Sequence, residues 1–131
     1  MQERDYSYGT AMLLLLTAVC LLSFRPAPVP GIRVENPRCD YLQDPLGIDD
    51  RSPSFSWELA SRERGAAQRA YEIIVASDSA MLKNDRGDMW STGKVASRET
   101  EGVPYQGQPL LAGRAYYWKV RVWDEHGRPG V

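Results

Sequence analysis

Catalysis by a pair of side chains needs two groups held a few ångströms apart, and carboxylates are the first place to look for one in this sequence. Asp49-Asp50 and Asp124-Glu125 are adjacent acids. Consecutive residues of an extended chain point to opposite faces, and both pairs lie among turn-forming residues, where Asp commonly bonds its own backbone. Turn chemistry is therefore the expected role of all four. Cys39 is the second place, since a thiol activated by histidine makes a nucleophile. The one histidine, His126, sits in a turn near the far end of the chain with no evident orienting partner. Cys39 is thus expected to be a small buried or half-buried apolar residue. Arg86-Gly87-Asp88 is a chance-prone tripeptide in a polar loop and is expected to have no adhesion role. Zinc-ligand spacing, a Gly-rich phosphate loop, a nucleophile elbow and an N-x-S/T sequon are all missing from the sequence. The expectation is a chain with no catalytic residue, no metal ligand and no cofactor.

The elements that would position such groups are strands. SFSWEL (54–59) puts Phe55, Trp57 and Leu59 on one face and Ser54, Ser56 and Glu58 on the other. AYEIIVAS (70–77) does the same with Tyr71, Ile73 and Val75, and IRVEN (32–36) reads as a short first strand. YYWKVRVW alternates Tyr116, Trp118, Val120 and Val122 with Tyr117, Lys119, Arg121 and Trp123. A polar excursion, SDSAMLKNDRGD, holds at most one helical turn near Ala80–Lys83. Trp90 begins a short strand or turn, and Pro104 demotes its own segment to a strand end. DPLGIDDRSP and ASRERGAA read as loops. Short strands separated by turn signals predict an all-β sandwich of the immunoglobulin-like or fibronectin type III-like kind. LLAGRAY delivers Tyr116 to the start of its strand, where its hydroxyl can reach back to the turn backbone as a tyrosine corner. The expected core is built on Trp57, Tyr71, Tyr116 and Trp118. Only Arg128 to Val131 follow the last turn, so the sandwich is expected to lack its final strand and to expose the edge of the strand before it.

Outward aromatics are the remaining candidates for function. Tyr117, Trp123, Trp90 and Tyr105 could offer flat faces to a sugar ring or form a dry interface with a neighbouring domain, and the interface is favoured. The 16 basic residues against 17 acidic ones leave no basic cluster for nucleic acid or an anionic membrane. AMLLLLTAVCLLSF (11–24) is uncharged and is followed by the Pro-rich RPAPVPG, so 1–24 reads as a signal peptide or, left uncleaved, a membrane anchor. The divisions are then a linker over 25–31 and a sandwich over 32–131, with a secreted or periplasmic location. Cys20 lies in the leader, which leaves Cys39 without a partner for a disulfide inside the mature chain.

DPLGID, PSFSWEL, QRAYEIIVAS, WSTGKV, VPYQGQPL and YYWKVRVWDEHG follow one another in order from Asp44 to Gly127. As an ordered set they resemble the N-terminal immunoglobulin-like or fibronectin-like domain of bacterial α-L-rhamnosidases. The resemblance implies a parent enzyme that is an inverting glycosidase releasing terminal rhamnose, its two carboxylates roughly 6.5–9.5 Å apart in an (α/α)₆ barrel far downstream. No catalytic residue carries over onto this chain. The leading expectation is a non-catalytic accessory module whose partners are the downstream domains, with carbohydrate as a further candidate partner. The rival is a stand-alone secreted module that binds carbohydrate or protein.

Overall fold

The computed structural model describes residues 31–40 and 52–130. The leader, the linker up to residue 30, Cys20, the DPLGID segment and Asp49-Asp50 lie outside the described residues. In chain order the elements are β1 (Arg33–Cys39), β2 (Ser54–Ala60), β3 (Gln68–Ala76), α1 (Ser79–Lys83), β4 (Trp90–Ser91), β5 (Val103–Pro104) and β6 (Tyr117–Asp124). They form two antiparallel sheets, β1-β2-β5 and β4-β3-β6, packed as an immunoglobulin-like β-sandwich.

Period-two alternation decides which side chains enter the sandwich. Phe55 and Trp57 come from β2, Tyr71, Ile73 and Val75 from β3, and Val122 from β6. Ile32, Cys39, Val103 and Tyr105 complete the buried cluster, and Tyr116, Trp118 and Val120 pack against it. The longest pairing, β3 with β6, runs in register from Gln68↔Asp124 to Ala76↔Tyr117, with a shift between Gln68 and Ala70. The tyrosine corner forms as a hydrogen bond from the Leu111 N–H to the Tyr116 hydroxyl, at 3.0 Å.

One buried polar group ties the two sheets together. Gln68 is 2% exposed. Its side-chain oxygen accepts from the Trp57 indole N–H at 3.0 Å, and its amide donates to the carbonyls of Ser97 and Glu99 at 3.1 and 2.9 Å. Gln68→Leu keeps the bulk but leaves an indole donor and two carbonyls unanswered. It is expected to lower the unfolding free energy by about 1–3 kcal/mol. A urea midpoint equal to that of the parent chain would show these bonds to be dispensable.

Two features depart from simple alternation. Asn36 adopts φ 45°, and the β1–β2 register shifts between Glu35 and Arg38. Pro37 has no N–H to give the ladder, so the strand bulges there and then resumes to Cys39. On β3, Ile74 and Ala76 point away from the core yet are 3% and 0% exposed, because α1 folds back over β3 and β6. Asp78 caps that helix by accepting from Ala80 N–H at 2.7 Å, and Lys119 donates to the Leu82 carbonyl at 2.6 Å.

After β6 the chain turns and begins to run back along it. Trp123 bridges Pro129 in antiparallel fashion, and Gly130 N–H donates to the Val122 carbonyl at 2.7 Å. Where this return segment lies, Val122 is fully buried. Farther along β6, the core-facing Val120 and Trp118 are only half-buried.

Candidate functional site

The outward row of β6 holds the sequence candidates Tyr117 and Trp123. Tyr117 is 43% exposed, whereas Trp123 is half-buried and carries the Lys94 ammonium over its ring, 4.4 Å from the centroid. Six residues of strand separate the two rings by about 20 Å. Between them, Arg121 pairs with Asp85 at 2.7 Å and with Glu72 at 3.6 Å, and Lys119 also reaches Asp85. The hydrogen bonds from Lys119 and Arg121 hold the Asp85 carboxyl below its usual range. The row is therefore two isolated aromatics flanking an ion-paired stretch, and it offers no continuous platform for a sugar.

Trp90 and Tyr105 correct the expectation that they face outward. Tyr105 is 5% exposed, and its hydroxyl donates to the Gln108 carbonyl at 2.6 Å. Trp90 is half-buried, stacks on Phe55 with centroids 6.1 Å apart, and meets Tyr105 edge-on at 5.2 Å. Phe55 in turn contacts Trp118 at 4.5 Å. β4 and β5 are two residues long, so no alternation was available to assign their faces. The loops around them fold these rings into the core. Of the expected core aromatics, Trp57 and Tyr71 are 2% and 6% exposed and meet edge-on at 5.3 Å, while Tyr116 and Trp118 are half-buried beside them.

The sequence's reactive-looking groups have structural work. Asp124 is 1% exposed and accepts three hydrogen bonds from its own turn: from the N–H groups of His126 and Arg128, each at 2.9 Å, and from the Nε of the Arg128 guanidinium at 2.7 Å. Burial would push the Asp124 carboxyl up, but the Arg128 and His126 hydrogen bonds outweigh it and hold the carboxyl below its usual range. Arg128 extends the clamp to Glu63 with a fork of 2.7 and 3.2 Å. Glu125 accepts from Ala67 N–H at 2.9 Å. Gly31 lies so close to this clamp that a Cβ there would collide with the Asp124 carboxylate and the Arg128 guanidinium. Sequence reading assigned Asp124 and Glu125 to turn chemistry but missed the cross-chain partners Glu63, Ala67 and Gly31, which no local spacing could reveal.

Cys39 and His126 are not brought together. Cys39 is buried opposite Phe55 at the end of β1, and His126 is exposed in the turn at the other end of the sandwich. Burial, with the neighbouring Asp40 charge, pushes the Cys39 thiol up to about 12. Arg86-Gly87-Asp88 is a packed turn. A Cβ on Gly87 would run into Ile74 and the carbonyls of Val75 and Trp90, and Asp88 accepts from the N–H and hydroxyl of Ser77. A shallow depression of about 50 Å³ lies among Asn36, Arg38, Ser56, Trp57, Glu58 and Glu101. There Glu58 is engaged by Asn36 at 2.8 Å and Arg38 at 3.3 Å. Among the described residues no cluster of His, Cys, Asp and Glu could hold a metal ion.

Comparison with known proteins places these features in a family. Residues 34–130 match the family described as the Rha78A-like, N-terminal immunoglobulin domain. An α-L-rhamnosidase of Streptomyces avermitilis is 45% identical over 97 residues, which are 74% of this chain and 9% of that protein. One from Formosa agariphila is 42% identical over 82 residues, 63% of this chain and again 9% of the relative. The crystal structure of the S. avermitilis α-L-rhamnosidase complexed with L-rhamnose superimposes with a TM-score of 0.72 at 42% identity, covering 77% of this chain and 10% of that one. The α-L-rhamnosidase from Dictyoglumus thermophilum gives the same TM-score at 36% identity over 76% of this chain and 11% of its own. The chain thus spans about a tenth of the length of these relatives.

Proposed function

Because the chain belongs to the Rha78A-like N-terminal immunoglobulin domain family, we propose that it works as the non-catalytic N-terminal module of an α-L-rhamnosidase, an enzyme that removes terminal rhamnose. The observation that carries this reading is the match itself: nearly the whole described chain aligns with about a tenth of each relative. The engagement of Asp124, Glu125 and Glu58 in structural bonds is consistent with chemistry located elsewhere in such an enzyme. The hydrophobic leader supports export of the protein. The outer face of β6, with the 43% exposed Tyr117, is read as a contact with neighbouring domains, since its charges are already paired.

Two measurements test this. The purified chain is expected to release no aglycone from an aryl α-L-rhamnoside, and turnover in a sample free of host glycosidase would overturn the non-catalytic reading. Residues 32–131 are also expected to substitute for the corresponding domain of the S. avermitilis enzyme, giving a soluble, active chimera where simple deletion of that domain does not. A chimera no better than the deletion would overturn the module reading.

A further inference from the structure

β1 is divided in two by its bulge. The pairing with β2 runs from Arg33↔Ala60 to Glu35↔Glu58, breaks, and resumes at Arg38↔Ser56. In the break Asn36 takes φ 45°, and Pro37 has no N–H to give the ladder. The part after the break is firmly anchored. Cys39 is buried, Asp40 N–H donates to the Ser54 carbonyl at 2.8 Å, and Ser54 N–H donates back to the Asp40 carboxylate at 2.7 Å. The part before it, Gly31 to Glu35, is held more sparsely. Its strand residues lie at the edge of the sheet and pair with β2 alone, and Ile32 is its one buried side chain.

A closed ring of contacts secures the start of this sparse part. The Ser61 hydroxyl donates to the Gly31 carbonyl and accepts from Glu63 N–H. The Glu63 carboxylate accepts from Arg128, and Arg128 donates in turn to Asp124. The Asp124 carboxylate then packs against Gly31 so closely that no Cβ fits between them. Gly31 is the ring's one member from the β1 side. The other four belong to the turns after β2 and β6, so the seat stays built when Gly31 leaves it. We propose that Gly31 to Glu35 is a hinged arm, which swings off β2 about Asn36-Pro37 while the rest of β1 and of the sandwich stays folded, and that the ring is the latch that keeps it closed. Openings of this kind are drawn from segments with few buried contacts. Opening bares the edge of β2 from Glu58 to Ala60 and empties the Ile32 site, and it leaves Cys39 covered. Every contact involved lies inside this domain, so the proposal stands independently of the module reading.

The test follows hydrogen exchange residue by residue in the whole chain, at urea concentrations rising toward the unfolding transition. Three reporters are compared: the β2-bonded amides among Arg33, Val34 and Glu35, the Asp40 amide, and the Tyr71 amide, which bonds to the Val95 carbonyl. The arm amides are expected to exchange through an opening whose urea slope is less than about half that of Tyr71, with Asp40 following Tyr71. Gly31→Ala is expected to speed arm exchange by about 10-fold. Glu63→Gln, which loosens Arg128 without adding bulk, is expected to act in the same direction and carries the test should Gly31→Ala not fold. Gln68→Leu weakens the core away from the arm, so it is expected to speed exchange at Tyr71 while the arm stays within about twofold of the parent rate. Equal urea slopes at the arm and Tyr71, or an arm rate unchanged by both latch variants, would overturn the proposal. So would Asp40 exchanging together with the arm, or Gln68→Leu speeding the arm as much as Tyr71.

Discussion

Trp57→Ala is expected to lower the unfolding free energy by about 3–5 kcal/mol, a large share of the roughly 5–15 kcal/mol that holds a domain folded. The indole is 2% exposed, meets Tyr71 edge-on, and donates to the buried Gln68 side chain. Truncation therefore opens a cavity and strands a buried acceptor in one step. Trp118→Ala is expected to cost less, because that ring is only half-buried, and Tyr117→Ala less again, within about 1 kcal/mol for an exposed position. Denaturant midpoints in the order Trp57, Trp118, Tyr117 check the assignment of strand faces, and indistinguishable midpoints would refute it.

The second large effect is expected at the clamp that closes the β6 turn. Asp124→Ala removes the acceptor for two backbone N–H groups and one guanidinium, at an expected cost of about 2–4 kcal/mol. Gly31→Ala should weaken the same clamp without touching either charged residue, since its new methyl needs the space of the Asp124 carboxylate. The clamp also makes stability depend on acidity. In the unfolded chain Asp124 takes up a proton near pH 4, whereas the folded state holds its carboxyl lower. The stabilisation is therefore complete above about pH 4 and is lost as the pH falls through the lower, folded value. Asp85, held down by Lys119 and Arg121, adds in the same direction. Urea midpoints between about pH 3 and 6 should fall more gently toward acid for Asp124→Ala than for the parent chain. Parallel curves would remove Asp124 from the account.

Long alternating segments made much of this architecture legible. Phe55, Trp57 and Leu59 declared one face of β2, and Tyr116 to Val122 declared one face of β6, because a half-buried strand writes its burial into every second residue. The tyrosine corner was legible for a similar reason: Gly113 and Tyr116 lie within one turn of each other. Illegible features depended on contacts between distant segments. Trp90 begins a two-residue strand and Tyr105 follows another, and neither strand is long enough to have a period. Ile74 breaks the polar-out pattern of β3 only because α1 arrives from the next loop to cover it. Gln68 and Arg128 look like surface residues until their partners, Trp57 and Glu63, come from other strands and loops. The spacing of the β6 aromatics was illegible for the same reason. A sugar platform requires two rings to be neighbours in space, and sequence shows only that they share a face.

The burial of Cys39 bears on how this domain would respond to an oxidant. Thiol–disulfide exchange proceeds through the thiolate, and burial together with the Asp40 charge pushes this thiol up to about 12, so it stays protonated at neutral pH. Folded, this cysteine is therefore a poor attacker of any disulfide it meets and a poor target for peroxide. It becomes an ordinary thiol only while the end of β1 is open. The interval of redox vulnerability is thus the interval before folding is complete. In a longer polypeptide with other cysteines, the speed with which β1 docks against β2 would decide whether mispaired disulfides form.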